Sequence, residues 1–476
     1  MSRVRARVGS VVMLSLMVAA AVLSRGGTSP IPATLAPLPS PANPTAHGAS
    51  VLSQAWVCPG LPVNGGEGSG GEVIVLNTAA SPLVATLTVL LGDDTPEPLR
   101  LEVAPGERSV VDIAALATAR FAGVMVEIVE GDGVVEQRAR HPVGDAVAPC
   151  ASTTSPTWYF ADGSTEDGTL EELVLTNPYA GAAVVNLRFV TTAGPRSPQA
   201  LQGLVLDPRS TTVVRLGDDF APDEPMVAVA LEATAGQFVA GRAQHYLGGG
   251  RLGFTLSLGA PAPDDEWWFA GGEIGPGITQ VISLFNPTDT EVVADVVPLG
   301  LPLDQGPVEP IEVRVVGGGV TSLDLSALGV LPEGRHGLLV SSLGQPALVV
   351  ERAITRPAGD FVVTSVVMGV HRASPSTRWY ATVGVDQPTP GALVVANTTG
   401  VESRLTVSDL GPGGAVPLPG LADLVLPASG VLALDLPLEA LGRPLVVDAE
   451  VEVVVERSLI RRAGSEGRSG SLAVPT

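Results

Sequence analysis

Over most of this chain apolar residues alternate with polar ones at a period near two, and Gly or Pro interrupts the runs every 8 to 12 residues or so. That period belongs to a strand with one face in a core; the 3.6-residue repeat of an amphipathic helix is almost absent after the first 24 residues. The pattern predicts an all-β chain of many short antiparallel strands. Val is abundant, and 56 Gly with 42 Pro punctuate the runs.

The runs recur as a set. A tryptophan is followed about twenty residues later by an apolar run ending in asparagine: Trp56 with Asn77, Trp158 with Asn177, Trp268 with Asn286 and Trp379 with Asn397. Each pair is followed by a second alternating run, then by two runs split at a Pro or Gly turn ("LEVAPGERSVVDI", "LVLDPRSTTVVRL", "IEVRVVGGGVTSLDL", "LVLPASGVLALDL"). Next comes a strand leading to a run that ends near an arginine, at Arg138, Arg242, Arg352 and Arg457, and a last run closes on a small residue. Trp-to-Trp steps of 102, 110 and 111 residues make each unit a whole domain, since solenoid units span about 20–50 residues. A four-bladed propeller is the competing repeat, but its blades need only about 40–50 residues. The expected fold is therefore four tandem immunoglobulin- or fibronectin-like antiparallel β-sandwich domains, over residues 51–152, 153–262, 263–374 and 375–476.

Within a unit the Trp is expected to fill a core otherwise made of Val, Leu and Ala, because aromatic residues are only 4% of the chain. The Asn is expected to cap a turn with its side chain and so end its strand.

The first 24 residues differ. Three Arg precede the 14-residue apolar stretch "VVMLSLMVAAAVLS", the layout of an export signal. It is short for a membrane span of about 20 residues, so a cleaved signal peptide and a retained signal anchor both stay open. Either places the remainder outside the cytoplasmic membrane, as a secreted or a single-pass protein that meets the membrane through this segment only. Residues 25–50, rich in Pro, Ala, Ser and Thr, read as an extended stalk.

Both cysteines fall in the first unit, Cys58 after its Trp and Cys150 at its closing small residue. In an exported chain this predicts a Cys58–Cys150 disulfide. Acidic residues outnumber basic ones 49 to 27, and every basic residue is Arg, for a net charge of −22. Such a surface repels nucleic acid and anionic lipid.

No catalytic, cofactor-binding or metal-binding constellation is found. His47, His141, His245, His336 and His371 lie in unrelated contexts without ligand spacing. The most chemical-looking stretch, "ADGSTEDG" with Asp162, Glu166 and Asp167, lacks the spaced acids of a calcium loop and reads as a solvated turn. The acid pairs Asp93 and Asp94, Asp218 and Asp219, and Asp264 and Asp265 read as loop solubilisers.

The N-terminal segment, the stalk and the copies carrying "WYFADGST", "LVLTNP" and "LVLDPRSTT" resemble an uncharacterised actinobacterial family of exported proteins defined as a domain of unknown function. The Asn-Pro and strand-Pro-Gly-strand pattern is also similar to bacterial immunoglobulin-like envelope domains. No functional residue follows from either resemblance. The expected function is a non-enzymatic cell-envelope scaffold, structural or protein-interacting, whose four sandwiches stand in series. A carbohydrate-binding ectodomain acting on cell wall or capsule is the alternative. For that role Trp267, Tyr179, Tyr246 and a few Phe are the spare aromatics once the four core Trp are set aside.

Overall fold

Taking the units in order as copies 1 to 4, the alternating runs pair in copies 1 to 3 into two antiparallel sheets that share a common core strand order, and in copy 4 into one nine-stranded sheet. The computed structural model describes residues 43–46, 54–63, 70–141, 144–217, 219–301, 309–382, 388–462 and 465–476. The expected signal segment, most of the stalk, His47 and Asp218 lie outside these residues. The chain is all-β, 59% strand, and among the described residues no helix is long and apolar enough to cross a membrane.

Copy 1 sets the plan. One sheet runs from the Trp strand Gln54–Pro62 through Phe121–Glu130 and Leu83–Leu90 to Leu99–Val103. The other runs from Arg108–Asp112 through the Asn strand Gly70–Asn77 and Gly133–Arg140 to the closing strand Ala146–Pro149. The Pro-Gly hairpin therefore divides its two strands between the layers. In copy 4 the single strand Leu445–Arg462 pairs with members of both layers.

The four asparagines act alike. The Oδ1 of Asn77, Asn177, Asn286 and Asn397 accepts the N–H two residues on, at Ala79, Tyr179, Thr288 and Thr399. Each Nδ2 donates to the carbonyl four residues on, and also to a carbonyl of the split hairpin, at Val103, Leu206, Val315 and Pro427. A capped turn is thereby tied to the hairpin that bridges the layers.

The tryptophans differ from expectation at one position. Trp158, Trp267 and Trp379 each donate Nε1–H to a carbonyl of their own copy, at Phe238, Leu348 and Val453. Trp267, not Trp268, is thus the core residue of copy 3, and it is 1% exposed. Neighbouring residues of a strand face opposite sides, so Trp268 points the other way and packs on the core of copy 4.

The same one-residue bookkeeping explains why only copy 1 has cysteines. The isolated bridges and short ladders Val57–Ala151, Tyr159–Ala260, Trp268–Val370 and Tyr380–Val474 place Cys58 and Cys150 opposite each other, as Phe160 and Gly259, Phe269 and Gly369, and Ala381 and Ala473 are in the other copies. In copies 2 and 3 a Cβ on the glycine would lie 2.9 Å from the Phe ring. Copy 1 fills the same space with the Cys58–Cys150 disulfide.

The copies do not stand in series. Ala42–Thr476 form one compact unit, because the four closing strands are sheet edges that cover one another. Ala146–Pro149 lies against Gly253–Leu258, which lies against Phe361–Met368, then Ser465–Leu472, which returns to Ala146–Pro149. This cycle removes four exposed edges at once. The end of the stalk is docked onto it: Asn43 donates Nδ2–H to the Gly369 carbonyl and accepts from His371 N, Thr45 N donates to Ser152 Oγ, and Ala46 N donates to the Pro475 carbonyl.

Candidate functional site

Buried charge collects where one copy meets the next. On the strand before each closing strand, a Glu-Arg dipeptide occupies 351–352 in copy 3 and 456–457 in copy 4, while copy 1 has Glu136-Gln137 and copy 2 has Gly241-Arg242 at the same register. Each Arg reaches the Glu of the following copy. Arg242 Nη2 lies 2.7 Å and Nη1 3.1 Å from the two Glu351 oxygens, with both side chains fully buried. Arg352 grips Glu456 the same way at 2.6 and 3.2 Å. Arg457 closes the cycle onto Glu136.

Each Glu also accepts backbone N–H from the residue three after the preceding copy's core Trp: Ala161 to Glu351 at 2.8 Å, Ala270 to Glu456 at 2.7 Å and Thr382 to Glu136 at 3.0 Å. Two of the guanidinium groups stack on a Phe of their own copy, Arg242 over Phe160 and Arg352 over Phe269. These are charge-assisted, forked contacts, the kind that fix register as well as adding energy.

The seam between copies 1 and 2 lacks all three parts together. Gln137 stands where the Arg would be, Gly241 where the Glu would be, and Pro59, which has no N–H to give, where the backbone donor would be. A Cβ on Gly241 would lie 2.6 Å from Pro59 Cγ, so the glycine admits the proline ring. Beside this seam His141 and His245 meet at 4.8 Å, and His141 stacks on Phe254. Sequence had placed these histidines in unrelated contexts.

Around Arg242 the 2–3 seam gathers further ionisable groups. Asp162 is buried rather than solvated: its carboxylate accepts from Tyr246 Oη, Ser283 Oγ and Arg251 Nη1. Burial pushes Asp162 upward, but Arg251, Arg242 and these hydrogen bonds outweigh it and hold the carboxyl below its ordinary range. Burial and the Asp162 charge push the Tyr246 phenol well up. Burial, only partly offset by Arg242 and its backbone donors, also raises Glu351. Tyr246 is therefore no spare aromatic, while Tyr179 is exposed and bonds Thr154. Glu166 and Asp167 do sit in a turn at the surface, and Gly249 N donates to Asp167.

Glu171, in the same cluster, is fully buried, and neither carboxyl oxygen has a hydrogen-bond partner among the described residues. Burial, with Asp162 and Glu351 nearby and only Arg242 opposing, raises its carboxyl well above the usual range. The folded protein thus holds a proton that the unfolded chain releases above about pH 4.3, so Glu171 subtracts stability as pH rises from there. Glu171→Gln, the residue that copy 3 carries at the matching Gln280, is expected to match the wild type near pH 4. At pH 7 it should be more stable by about 1–3 kcal/mol, the scale of an uncompensated buried polar group; urea titrations at both pH values check this, and equal gains at both would refute it.

Asp264 and Asp265 do not serve as loop solubilisers. Asp264 is buried, with His371 Nδ1 at 2.8 Å and Arg372 N donating to it, and Asp265 pairs with Arg372. They pin the start of copy 3 to the turn at its end. Asp93 and Asp94 are exposed in a short 3-10 turn, as expected of solubilising acids. Near the 3–4 seam, burial and the Arg352 charge lower the His336 imidazole to about 4, and its Nε2 faces the Gln280 amide at 3.0 Å.

The seams leave open grooves on their outer side. The groove between copies 2 and 3, about 500 Å³, lies on the outer face of the Trp sheet of copy 2, under the Pro287–Asp289 turn of copy 3. A second, of about 400 Å³, occupies the corresponding place between copies 4 and 1. Among the described residues no group of three or more His, Cys, Asp or Glu is placed to hold a metal ion.

Among solved structures, the chain is similar to Thermotoga maritima 1070 at 14% identity, covering 23% of this chain and 96% of that one with a TM-score of 0.21. A biofilm-associated protein BSP domain aligns at 10% identity over 87% of this chain and 91% of that one, TM-score 0.16. A Streptomyces avermitilis alpha-L-rhamnosidase complexed with L-rhamnose aligns at 8% identity over 73% and 45%, TM-score 0.16. No curated protein matches the chain. The model of one sequence family matches residues 137–249 and 258–473, more than half of the 476, and the chain belongs to that family of unknown function, DUF5719.

Proposed function

We propose that this protein is a non-enzymatic scaffold of the cell envelope, in which four immunoglobulin-like sandwiches, carried outside the cytoplasmic membrane by the N-terminal segment, offer their rim to a protein partner. The observation that carries this reading is the use made of buried charge. At three seams the strongest polar groups of neighbouring copies neutralise each other, which holds the copies in fixed register and leaves the turns at the rim as the available surface. Exposed apolar side chains at such turns, Leu343, Val401 and Leu438, suit protein contacts. The disulfide suits an oxidising compartment, and the net charge of −22 disfavours nucleic acid as a partner.

The test is crosslinking at the surface of cells that make the full chain. Because the sequence has no Lys, the reagent must be carboxyl-directed or photochemical. A discrete crosslinked band containing one other envelope protein, lost when Leu343 and Val401 are replaced by Asp, is the expected result. Recovery of uncrosslinked monomer alone would remove the reading.

A further inference from the structure

We propose that the groove between copies 2 and 3 is a binding site for a short, uncharged oligosaccharide, an activity separate from the scaffold role. Its floor is set by strand register. Tyr159, Ala230 and Arg188 lie side by side across three adjacent strands, and Thr157, Glu232 and Asn186 form the next row on the same face.

The corresponding first rows of the other copies are Val57–Met125–Thr88, Trp268–Leu339–Val297 and Tyr380–Val446–Ser408. In those three a bulky apolar residue holds the centre of the row, and Met125 and Val446 pack on the core of the next copy. Copy 2 alone has an alanine there, flanked by an aromatic ring and a guanidinium. Ala230 also packs on the core of copy 3, and its short side chain leaves room between Tyr159 and Arg188 for the groove.

The chemistry around the groove matches a polyhydroxylated ligand. The Tyr159 ring is half-buried, packed on one side against the core of copy 3 near Phe285, and its remaining surface offers an apolar platform to the C–H face of a sugar. Asn186, whose Oδ1 accepts from Gly203 N, supplies its Nδ2–H, and Arg188 is held in place by donating Nη2–H to the Pro287 carbonyl of copy 3 at 2.7 Å. Glu232 and Asp289 are exposed carboxylates, and among the described residues neither is paired with an Arg. Planar donors and acceptors set around an aromatic ring can bridge vicinal hydroxyls two at a time. The volume of about 500 Å³ falls in the range of small-molecule sites. The groove between copies 4 and 1 differs: its Arg378 is already paired with Asp448, and Gly and Pro make up much of its wall.

Titration calorimetry of the full chain with cellotriose, mannotriose and triacetylchitotriose tests the site. At least one of the three is expected to bind with a Kd of about 1 mM or tighter. Ala230→Leu, which copies the residue of copy 3, should abolish that binding. Glu232→Ala, at an exposed position, should weaken it about tenfold with an unchanged melting temperature. Failure of all three sugars to bind overturns the proposal, as does binding that both variants leave intact, since the sugar would then sit elsewhere. Neither result bears on the protein-crosslinking test above.

Discussion

Replacing Arg457 with methionine is expected to lower the stability of the closed four-copy unit by about 3–5 kcal/mol, the usual effect of stranding one member of a buried ion pair. Glu136 would stay fully buried, with the N–H and hydroxyl of Thr382 as its remaining donors among the described residues. This seam should feel the loss more than the other two ion-paired seams, because copies 1 and 4 are at opposite ends of the sequence and no linker holds them together. What would remain are neutral or half-buried contacts, such as Arg108 donating to the Thr382 and Gly442 carbonyls. The double variant Glu136→Leu with Arg457→Met should recover most of the deficit, since apolar groups of similar volume often replace a buried pair without loss. The protein supplies its own precedent at Pro59, Gln137 and Gly241, where a seam closes without a fully buried pair at that position, its cross-seam pair Arg120–Glu172 having an exposed arginine. Urea unfolding followed at the first transition, with solution scattering to detect an opened cycle, gives the answer. A single variant within about 1 kcal/mol of the wild type, or a double variant no better than the two singles summed, would show that the pair does not close the unit.

The sheets were legible in the sequence because a period of two, broken by Gly and Pro, has only one common structural meaning. The Asn turns were legible for the same kind of reason, since a side chain that bonds its own backbone two residues on needs no distant information. Trp267 was misread in favour of Trp268 because the shift is one residue, and one residue in a strand decides which face is core. Arg138 was likewise grouped with Arg242, Arg352 and Arg457, whereas the residue in register is Gln137, and Arg138 pairs with Glu72 inside its own copy.

The seams were hidden for a different reason. Each ion pair joins residues more than 100 positions apart, Arg242 with Glu351 and Arg352 with Glu456, so no local pattern announces it. One signal was present: Glu-Arg repeats at 351–352 and 456–457, while the copies that break it, with Gln137 and Gly241, are those adjoining the one Pro59. Such concerted substitution in one chain is what a shared interface produces. Asp162 and Asp264 looked like loop acids because composition alone does not tell a solvated turn from one covered by the next copy.

Removing the disulfide supplies the second large effect. Cys58→Ala with Cys150→Ala is expected to destabilise the protein by roughly 4–5 kcal/mol, the chain-entropy value for a link across 92 positions. The variant should still fold, because it reproduces the Ala381 and Ala473 arrangement of copy 4. Cys58→Phe with Cys150→Gly should then recover about 1.5–3 kcal/mol, the contribution of burying one large apolar side chain, because copies 2 and 3 place a Phe ring over a glycine at that point. Thermal and urea unfolding of the three proteins order them: wild type above the Phe–Gly variant, and that above the Ala–Ala variant. If Phe–Gly proves less stable than Ala–Ala, the disulfide does not occupy the space of the missing ring. An Ala–Ala protein as stable as the wild type would instead mean that the surrounding copies, through the cycle of closing strands, already restrain copy 1 as fully as the covalent link does.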